Sequence, residues 1–196
     1  MSAIEAFLRE VDAAWRQPGP RIPLRIIGST ALMLQTAYYR GTKDSDVLET
    51  DEVTDAVAER LLLIAGQDTD IHKRRAMYLD IVRRGVPFRR QSPVYHRLEE
   101  LSASLHHFDV EVMSVVDVVV GKLARFNAND QRDIDAMIGQ GLVDHDQLVQ
   151  VFLEALDFKM DLAWDDFTSF LRNLNRVERD MFGVGESEIE EPEWLR

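Results

Sequence analysis

Ile27-Gly28-Ser29-Thr30-Ala31-Leu32 and, a little further on, Arg40-Gly41-Thr42-Lys43-Asp44-Ser45-Asp46-Val47 are the stretches on which the fold of this chain is decided. Leu24–Ile27 reads as a short strand that Gly28-Ser29 breaks, and a helical pattern resumes over Thr30–Tyr39. Ser45–Glu49 reads as the next strand. Asp44 and Asp46 stand two apart in that extended run, so their carboxylates project from one face. Two like charges held so close are unfavourable unless something positive lies between them. A hard divalent cation fits, because Mg²⁺ prefers carboxylate oxygens and keeps waters or phosphate oxygens as its other ligands; Mn²⁺ is the alternative ion. Gly28-Ser29, after a strand and at a helix start, offers backbone N–H groups and a hydroxyl to phosphates. A phosphate cradle beside a metal-binding acid pair is what nucleotidyl transfer requires. Each feature also has a plainer reading: the acid pair as a solvated turn, Gly28 as a turn glycine and Ser29 as a helix cap.

Outward from this core, the pattern alternates strand and helix. Ile4, Phe7, Leu8, Val11 and Trp15 fall on one face of a helix over 2–16, with Ser2 and Glu5 spaced as a capping box. A helix over about Glu52–Ala65 is closed by Gly66. Tyr78–Val82 is a third strand with Arg84-Gly85 as its turn, and Phe108–Met113 is a fourth with Asp109 and Glu111 on its polar face. Beyond Ser114 the helical period dominates to Phe182, with breaks at Gly139–Gly141 and Lys159–Asp161. The expected architecture is α/β: a mixed sheet with flanking helices over 1–113, a helical bundle over 114–185 with the active site in the cleft before it, and a solvated acidic tail over 186–196.

The 196 residues carry 23 Lys and Arg against 35 Asp and Glu, a net charge of −12. A surface of that sign repels a polyanion over most of its area, so broad nucleic-acid binding is disfavoured, although one basic groove suffices for an RNA end. Absence of cysteine excludes disulfides, thiolate zinc sites and thiol nucleophiles. No apolar run reaches the roughly 18–20 residues of a membrane span, and no basic leader precedes one. A cytoplasmic address is the expectation. His72-Lys73-Arg74-Arg75 is the densest basic run, either a solvated helix end or a phosphate contact. His106-His107 is half a metal site at most, since adjacent strand residues face opposite ways.

The order Gly-Ser, helix, Asp-x-Asp resembles the signature of the DNA polymerase β-like nucleotidyltransferase superfamily. The wording Arg40-x-Thr42-x-Asp44-x-Asp46 is similar to small bacterial members related to abortive-infection nucleotidyltransferase toxins. A second block, Asp117, Lys122-Leu123-Ala124-Arg125 and Asp130-x-x-Asp133, strengthens the likeness, which spans roughly residues 22–138. The resemblance implies that Gly28 and Ser29 hold the triphosphate, that Asp44 and Asp46 bind two Mg²⁺ ions, and that a third acid on a neighbouring strand completes the site. That acid is expected from Phe108–Val112, as Asp109 with Glu111 in reserve. Lys122 and Arg125, three apart on a helix, would neutralise phosphate charge, with Arg40 and Thr42 beside them or merely shaping the loop; Lys122 and Arg125 are equally readable as ion-pair partners of Asp130 or Asp133. The implied reaction moves a nucleoside monophosphate from a triphosphate such as ATP to a hydroxyl on RNA, protein or a small molecule. A toxin with a cognate antitoxin is the implied setting, and a catalytically silent nucleotide-binding or protein-interaction module is the alternative. The sequence departs from the family's pattern twice. The interval from Ser29 to Asp44 is long, which a longer helix would absorb. Ser45 stands where a hydrophobic residue is usual.

Overall fold

The computed structural model describes residues 2–83, 86–160, 162–192 and Trp194. The turn read at Arg84-Gly85, the Asp161 end of the second helix break and the last residues of the acidic tail lie outside the described residues. The chain divides into two compact units, Met1–Gly85 with Tyr95–Met113, and Val86–Val94 with Ser114–Arg196.

The first unit opens with α1 (Ala3–Ala14). Ser2 Oγ accepts from the Glu5 amide at 3.1 Å while the Ser2 amide donates to Glu5 Oε2 at 2.8 Å, so the capping box forms. Ile4, Phe7, Leu8 and Val11 are buried along the face that the periodicity marks. There follow β1 (Ile22–Ile26), α2 (Gly28–Gln35), β2 (Asp44–Leu48), α3 (Asp55–Ala65), α4 (Asp70–Arg75), β3 (Tyr78–Val82), β4 (Tyr95–Arg97), α5 (Glu99–Ala103) and β5 (Phe108–Met113). The strands form one mixed sheet in the order β3-β2-β1-β5-β4. β1 is antiparallel to β2 and parallel to β5, β2 is parallel to β3, and β4 is antiparallel to β5.

Alternation along these strands sorts the sheet into two faces. Leu24, Ile26, Ser45, Val47, Leu79, Ile81, Val110 and Val112 are buried on one face, and the register aligns them. Phe108 continues that layer and meets Trp15, which follows α1, edge to face at 5.3 Å. The other face carries Asp44, Asp46, Asp80, Arg25, Asp109 and Glu111, all at least partly exposed. β4 and α5 escape a sequence reading because three and five residues are too short to show a period.

α2 is shorter than its sequence pattern. It ends at Gln35 rather than Tyr39 because Thr36 turns the chain: its hydroxyl donates to Leu32 O at 2.8 Å and accepts from the Tyr38 amide at 3.1 Å. The long interval between Ser29 and Asp44 is therefore taken up by a loop over residues 36–43, not by an extra helical turn.

The second unit is helical: α6 (Val115–Leu123), α7 (Ala128–Gly139), α8 (His145–Phe158), α9 (Trp164–Val177) and a π-helical turn over Glu178–Phe182. Ser114, Asn127 and Asp144 cap the first three by accepting amides of their first turns. Val86–Val94 belongs to this unit, which a single cut at Ser114 does not foresee. Asp117 explains it: its carboxylate accepts from Arg90 Nε at 2.8 Å, Arg90 Nη2 at 2.9 Å and the Val94 amide at 3.0 Å. Phe88 packs between Phe152 and Phe170, with ring centroids 5.3 and 4.8 Å away. Gly121 leaves room for the segment, since a Cβ there would stand 2.9 Å from Val86 Cγ1. The start of the acidic tail is bound rather than solvated, because Ser187 and Glu186 bond to Glu178, Asn175 and Arg179. Among the described residues no helix is long and apolar enough to cross a membrane.

Candidate active site

β1 delivers the chain to Ile27, which is extended, and Gly28 turns it into α2 with φ +65°. That left-handed backbone costs a residue with a Cβ about 1–2 kcal/mol. Space adds a second demand for glycine: a Cβ at this position would lie 2.8 Å from Asp46 Oδ2. The carboxylate of Asp46 thus rests directly over the backbone of the turn. Two further bonds fix the turn to β2. The Ile27 amide donates to Asp46 O at 3.0 Å, and Thr30 Oγ1 donates to Asp44 O at 3.0 Å.

The loop over 36–43 returns to the same place. Arg40 Nη2 donates to Ser29 Oγ, and Thr42 Oγ1 donates to Asp44 Oδ1 at 2.7 Å. Gly28, Ser29, Arg40, Thr42, Asp44 and Asp46 are therefore brought together within the first unit. Ser45 points the other way, fully buried, and its hydroxyl has no hydrogen-bond partner.

The expected convergence of Asp109 or Glu111 with the acid pair does not occur. β5 is separated from β2 by β1, so these residues lie about 10 Å across the sheet from it. They are also displaced along the strands, Asp109 in register with Pro23 and Glu111 with Arg25. Both are engaged by arginines. Arg21 Nε donates to Asp109 Oδ2 at 3.0 Å, Arg97 Nη2 to Asp109 Oδ1 at 2.5 Å, and Arg25 Nε to Glu111 Oε2 at 3.0 Å. Burial alone would raise the Asp109 carboxyl, but the bonds from Arg97 and Arg21 outweigh it and hold the pKa below the usual carboxylate value.

The acid that does adjoin the pair is Asp80. β3 runs parallel to β2 with Asp46 opposite Asp80 and Asp44 opposite Tyr78, at a strand spacing of about 4.8 Å. Asp80 is exposed on the same face, flanked by buried Leu79 and Ile81. Its neighbour Tyr78 senses the cluster: partial burial raises its pKa first, and the charges of Asp44, Asp80 and Asp46 raise it further. Sequence reading missed Asp80 although the signal was present. Leu79-Asp80-Ile81-Val82 has the same apolar-acid-apolar form as Phe108-Asp109-Val110, and only strand order separates the two.

Among the described residues no three acidic or histidine side chains already close into a ready-made ligand set. The donor chemistry nevertheless suits a hard cation: carboxylates of like charge, on one sheet face, two of them in direct register on neighbouring strands.

Lys122 and Arg125 are committed to the helical unit. Lys122 Nζ, almost fully buried, lies 2.9 Å from Asp130 Oδ1 and 2.8 Å from Asp133 Oδ2, and Arg125 Nε donates to Asp130 Oδ2 at 2.8 Å. Burial would raise the Asp130 carboxyl, but Arg125 and Lys122 hold it below its usual value. Lys122, Asp130 and Asp133 thus form a buried ion cluster joining α6 to α7, and Arg125, itself largely exposed, bonds to it from outside. The basic run is likewise structural in part: Arg74 and Arg75 both bond Glu10 of α1, and His72 Nδ1 accepts from the Asp68 amide at 2.9 Å. Asp12 accepts both the His106 and His107 amides, at 2.9 and 2.8 Å, so that pair serves as a backbone anchor. An apolar concavity of about 590 Å³, lined by Trp15, Pro18, Ile22, Val57 and Leu63 among others, includes none of Asp44, Asp46 and Asp80.

Comparison with known proteins matches residues 6–179 to the family described as "Nucleotidyltransferase of unknown function (DUF6036)". No curated protein and no solved structure matches the chain. The matched span takes in the Gly-Ser turn, Asp44, Asp46 and Asp80, and the buried lysine cluster, and on that breadth the chain belongs to this nucleotidyltransferase family.

Proposed function

We propose that the protein is a metal-dependent nucleotidyltransferase that moves a nucleoside monophosphate from a nucleoside triphosphate to an acceptor hydroxyl. The observation that carries this reading is the register of Asp46 with Asp80, beside a Gly28 turn over which Asp46 lies. In this reading Asp44, Asp46 and Asp80 hold the divalent ions, and Asp80 takes the third-acid place that the sequence alone assigns to Asp109 or Glu111. Two Mg²⁺ ions, or Mn²⁺, supply charge neutralisation at the entering and leaving oxygens when bound.

The residues of the chain do the rest. Gly28 lets the backbone approach the phosphates, and Ser29 with the first amides of α2 faces the β- and γ-phosphate oxygens. Arg40, held on Ser29, adds a positive charge where negative charge collects on the leaving group. Thr42 orients Asp44. The acceptor oxygen bonds to the α-phosphorus, the bridge to the β-phosphate breaks, and pyrophosphate leaves with the electron pair. The acceptor proton passes to a carboxylate of the triad, Asp44 and Asp80 being the exposed ones. Lys122 and Arg125 brace the helical unit instead of touching phosphate.

The decisive experiment incubates wild type and an Asp44→Asn/Asp46→Asn variant with α-labelled triphosphates, Mg²⁺ and a cell extract. Label entering RNA, protein or a small-molecule fraction with wild type alone supports transfer; equal labelling with both proteins removes it. Triphosphate binding without transfer would make the chain the catalytically silent module of the same fold. The toxin setting has its own cellular measure: expression arrests growth, the double Asn variant relieves the arrest, and a co-expressed antitoxin does the same.

A further inference from the structure

The loop over 36–43 is more than a spacer. The residues beyond Gln35 leave the helix through the Thr36 turn, and the loop is then tied down at two points, by Arg40 on Ser29 and by Thr42 on Asp44. Its Arg40 amide also donates to Met33 Sδ of α2 at 3.4 Å. A loop anchored in this way has a fixed position relative to the phosphate turn.

Tyr39 lies within that loop. It is 71% exposed, the highest value of any tyrosine, tryptophan or phenylalanine among those described, whereas Tyr38 beside it is half-buried. Consecutive Cα atoms lie about 3.8 Å apart, so Tyr39 directly neighbours a residue whose guanidinium touches Ser29. Exposing a large aromatic ring to water forgoes the burial that its apolar surface would otherwise gain. Such a ring, on a loop bonded to the Gly28-Ser29 turn, offers what a nucleobase needs: a flat, sequence-tolerant stacking surface.

We propose that residues 36–43 form a nucleobase-recognition loop and that Tyr39 stacks on the base of the bound nucleoside triphosphate. The inference rests on the nucleotidyltransferase reading, and it adds the determinant that separates a nucleotide from a bare polyphosphate. Stacking of one base on one aromatic ring is worth about 1–3 kcal/mol, which is roughly a 5- to 150-fold change in affinity.

The test measures Mg²⁺-dependent binding of ATP, GTP, CTP, UTP and inorganic tripolyphosphate by calorimetry. Wild type is compared with Tyr39→Ala and Tyr39→Phe. The expected result is that Tyr39→Ala binds every nucleotide 5- to 150-fold more weakly, that Tyr39→Phe retains wild-type affinity, and that tripolyphosphate binds all three proteins alike. Purines should lose more than pyrimidines, since they present the larger face. Unchanged nucleotide affinity in Tyr39→Ala, or an equal loss for tripolyphosphate, overturns the stacking role while leaving the phosphate site in place. If wild type binds neither nucleotides nor tripolyphosphate, the nucleotidyltransferase reading itself fails and the loop assignment falls with it.

Discussion

In the helical unit, Asp117, Asp130, Asp133 and Glu178 are no more than 1% exposed. Each is held by a cationic or hydrogen-bonding neighbour: Arg90, Lys122 with Arg125, Lys122 again, and His145. On the open face of the sheet, two carboxylates are set side by side. Asp44 and Asp80 stand at the surface, and Asp46 and Asp80 face each other in register. Like charges directly across neighbouring strands weaken a sheet. Carboxylates of the first kind are bound into the fold, whereas the register of Asp46 with Asp80 places like charges on neighbouring strands. Such local conflict with folding is what the proposed site leads one to expect.

The largest expected effect breaks the helical side of this comparison. Asp130→Ala removes the buried carboxylate that Lys122 and Arg125 share at the α6–α7 junction. Removing one partner of a buried ion cluster costs about 3–5 kcal/mol, to be read as a lowered urea midpoint. The sheet side should respond in the opposite sense. Asp80→Asn is expected to leave stability unchanged or raise it by roughly 0.2–1 kcal/mol. Transfer from α-labelled triphosphate should fall at least about 100-fold, since even outer-shell partners of metal ligands are worth up to that factor. Asp109→Asn supplies the control, losing up to about 1 kcal/mol of a partly exposed arginine pairing with transfer kept within a few-fold. If Asp109→Asn abolishes transfer while Asp80→Asn spares it, the third acid lies on β5 after all.

Local chemistry made the Gly-Ser turn, the acid pair, the capping box of α1 and four of the five strands legible in the sequence. Each is written within a few consecutive residues. Asp80 was not legible as a site residue, because what assigns it is the neighbour of β2 in the sheet. Strand order follows from long-range pairing, and Phe108–Val112 offers the same local pattern as Tyr78–Val82. The end of α2 was hidden for a different reason: Thr36 stops it through a side-chain bond, where neither glycine nor proline gives a signal. The fate of Lys122 was equally hidden. A lysine three residues from an arginine on a helix can serve a ligand or an ion cluster, and only its burial against Asp130 and Asp133 decides between them.

β2 allows the comparison to be made within five residues. Ser45 lies between the two acids but on the covered face, fully buried and with its hydroxyl unbonded. An unsatisfied buried polar group costs about 1–3 kcal/mol, and removing it recovers part of that cost. Ser45→Ala is therefore expected to raise the unfolding free energy by about 1 kcal/mol while leaving Mg²⁺-dependent nucleotide binding as it was. A loss of binding would mean that the two faces of β2 are not independent.

The smallest effect is a pH dependence confined to the helical unit. His145 Nε2 lies 2.8 Å from Glu178 Oε1, with Asp146 Oδ1 3.3 Å from Nδ1. The bond to Glu178 raises the pKa of His145 above its ordinary value of 6.5; partial burial opposes the shift, and Asp146 adds to it. Because the folded pKa is the higher one, the stabilisation is complete below about pH 6.5, the unfolded value. It fades as pH rises through the folded value. Melting temperatures measured between pH 6 and pH 9 should thus decline for wild type and decline less for His145→Gln, which can still donate to Glu178 but cannot titrate. Identical slopes for the two proteins would show that Glu178 is held by the Ser187 amide and hydroxyl alone, and that this one buried carboxylate lacks the cationic partner its counterparts in the helical unit possess.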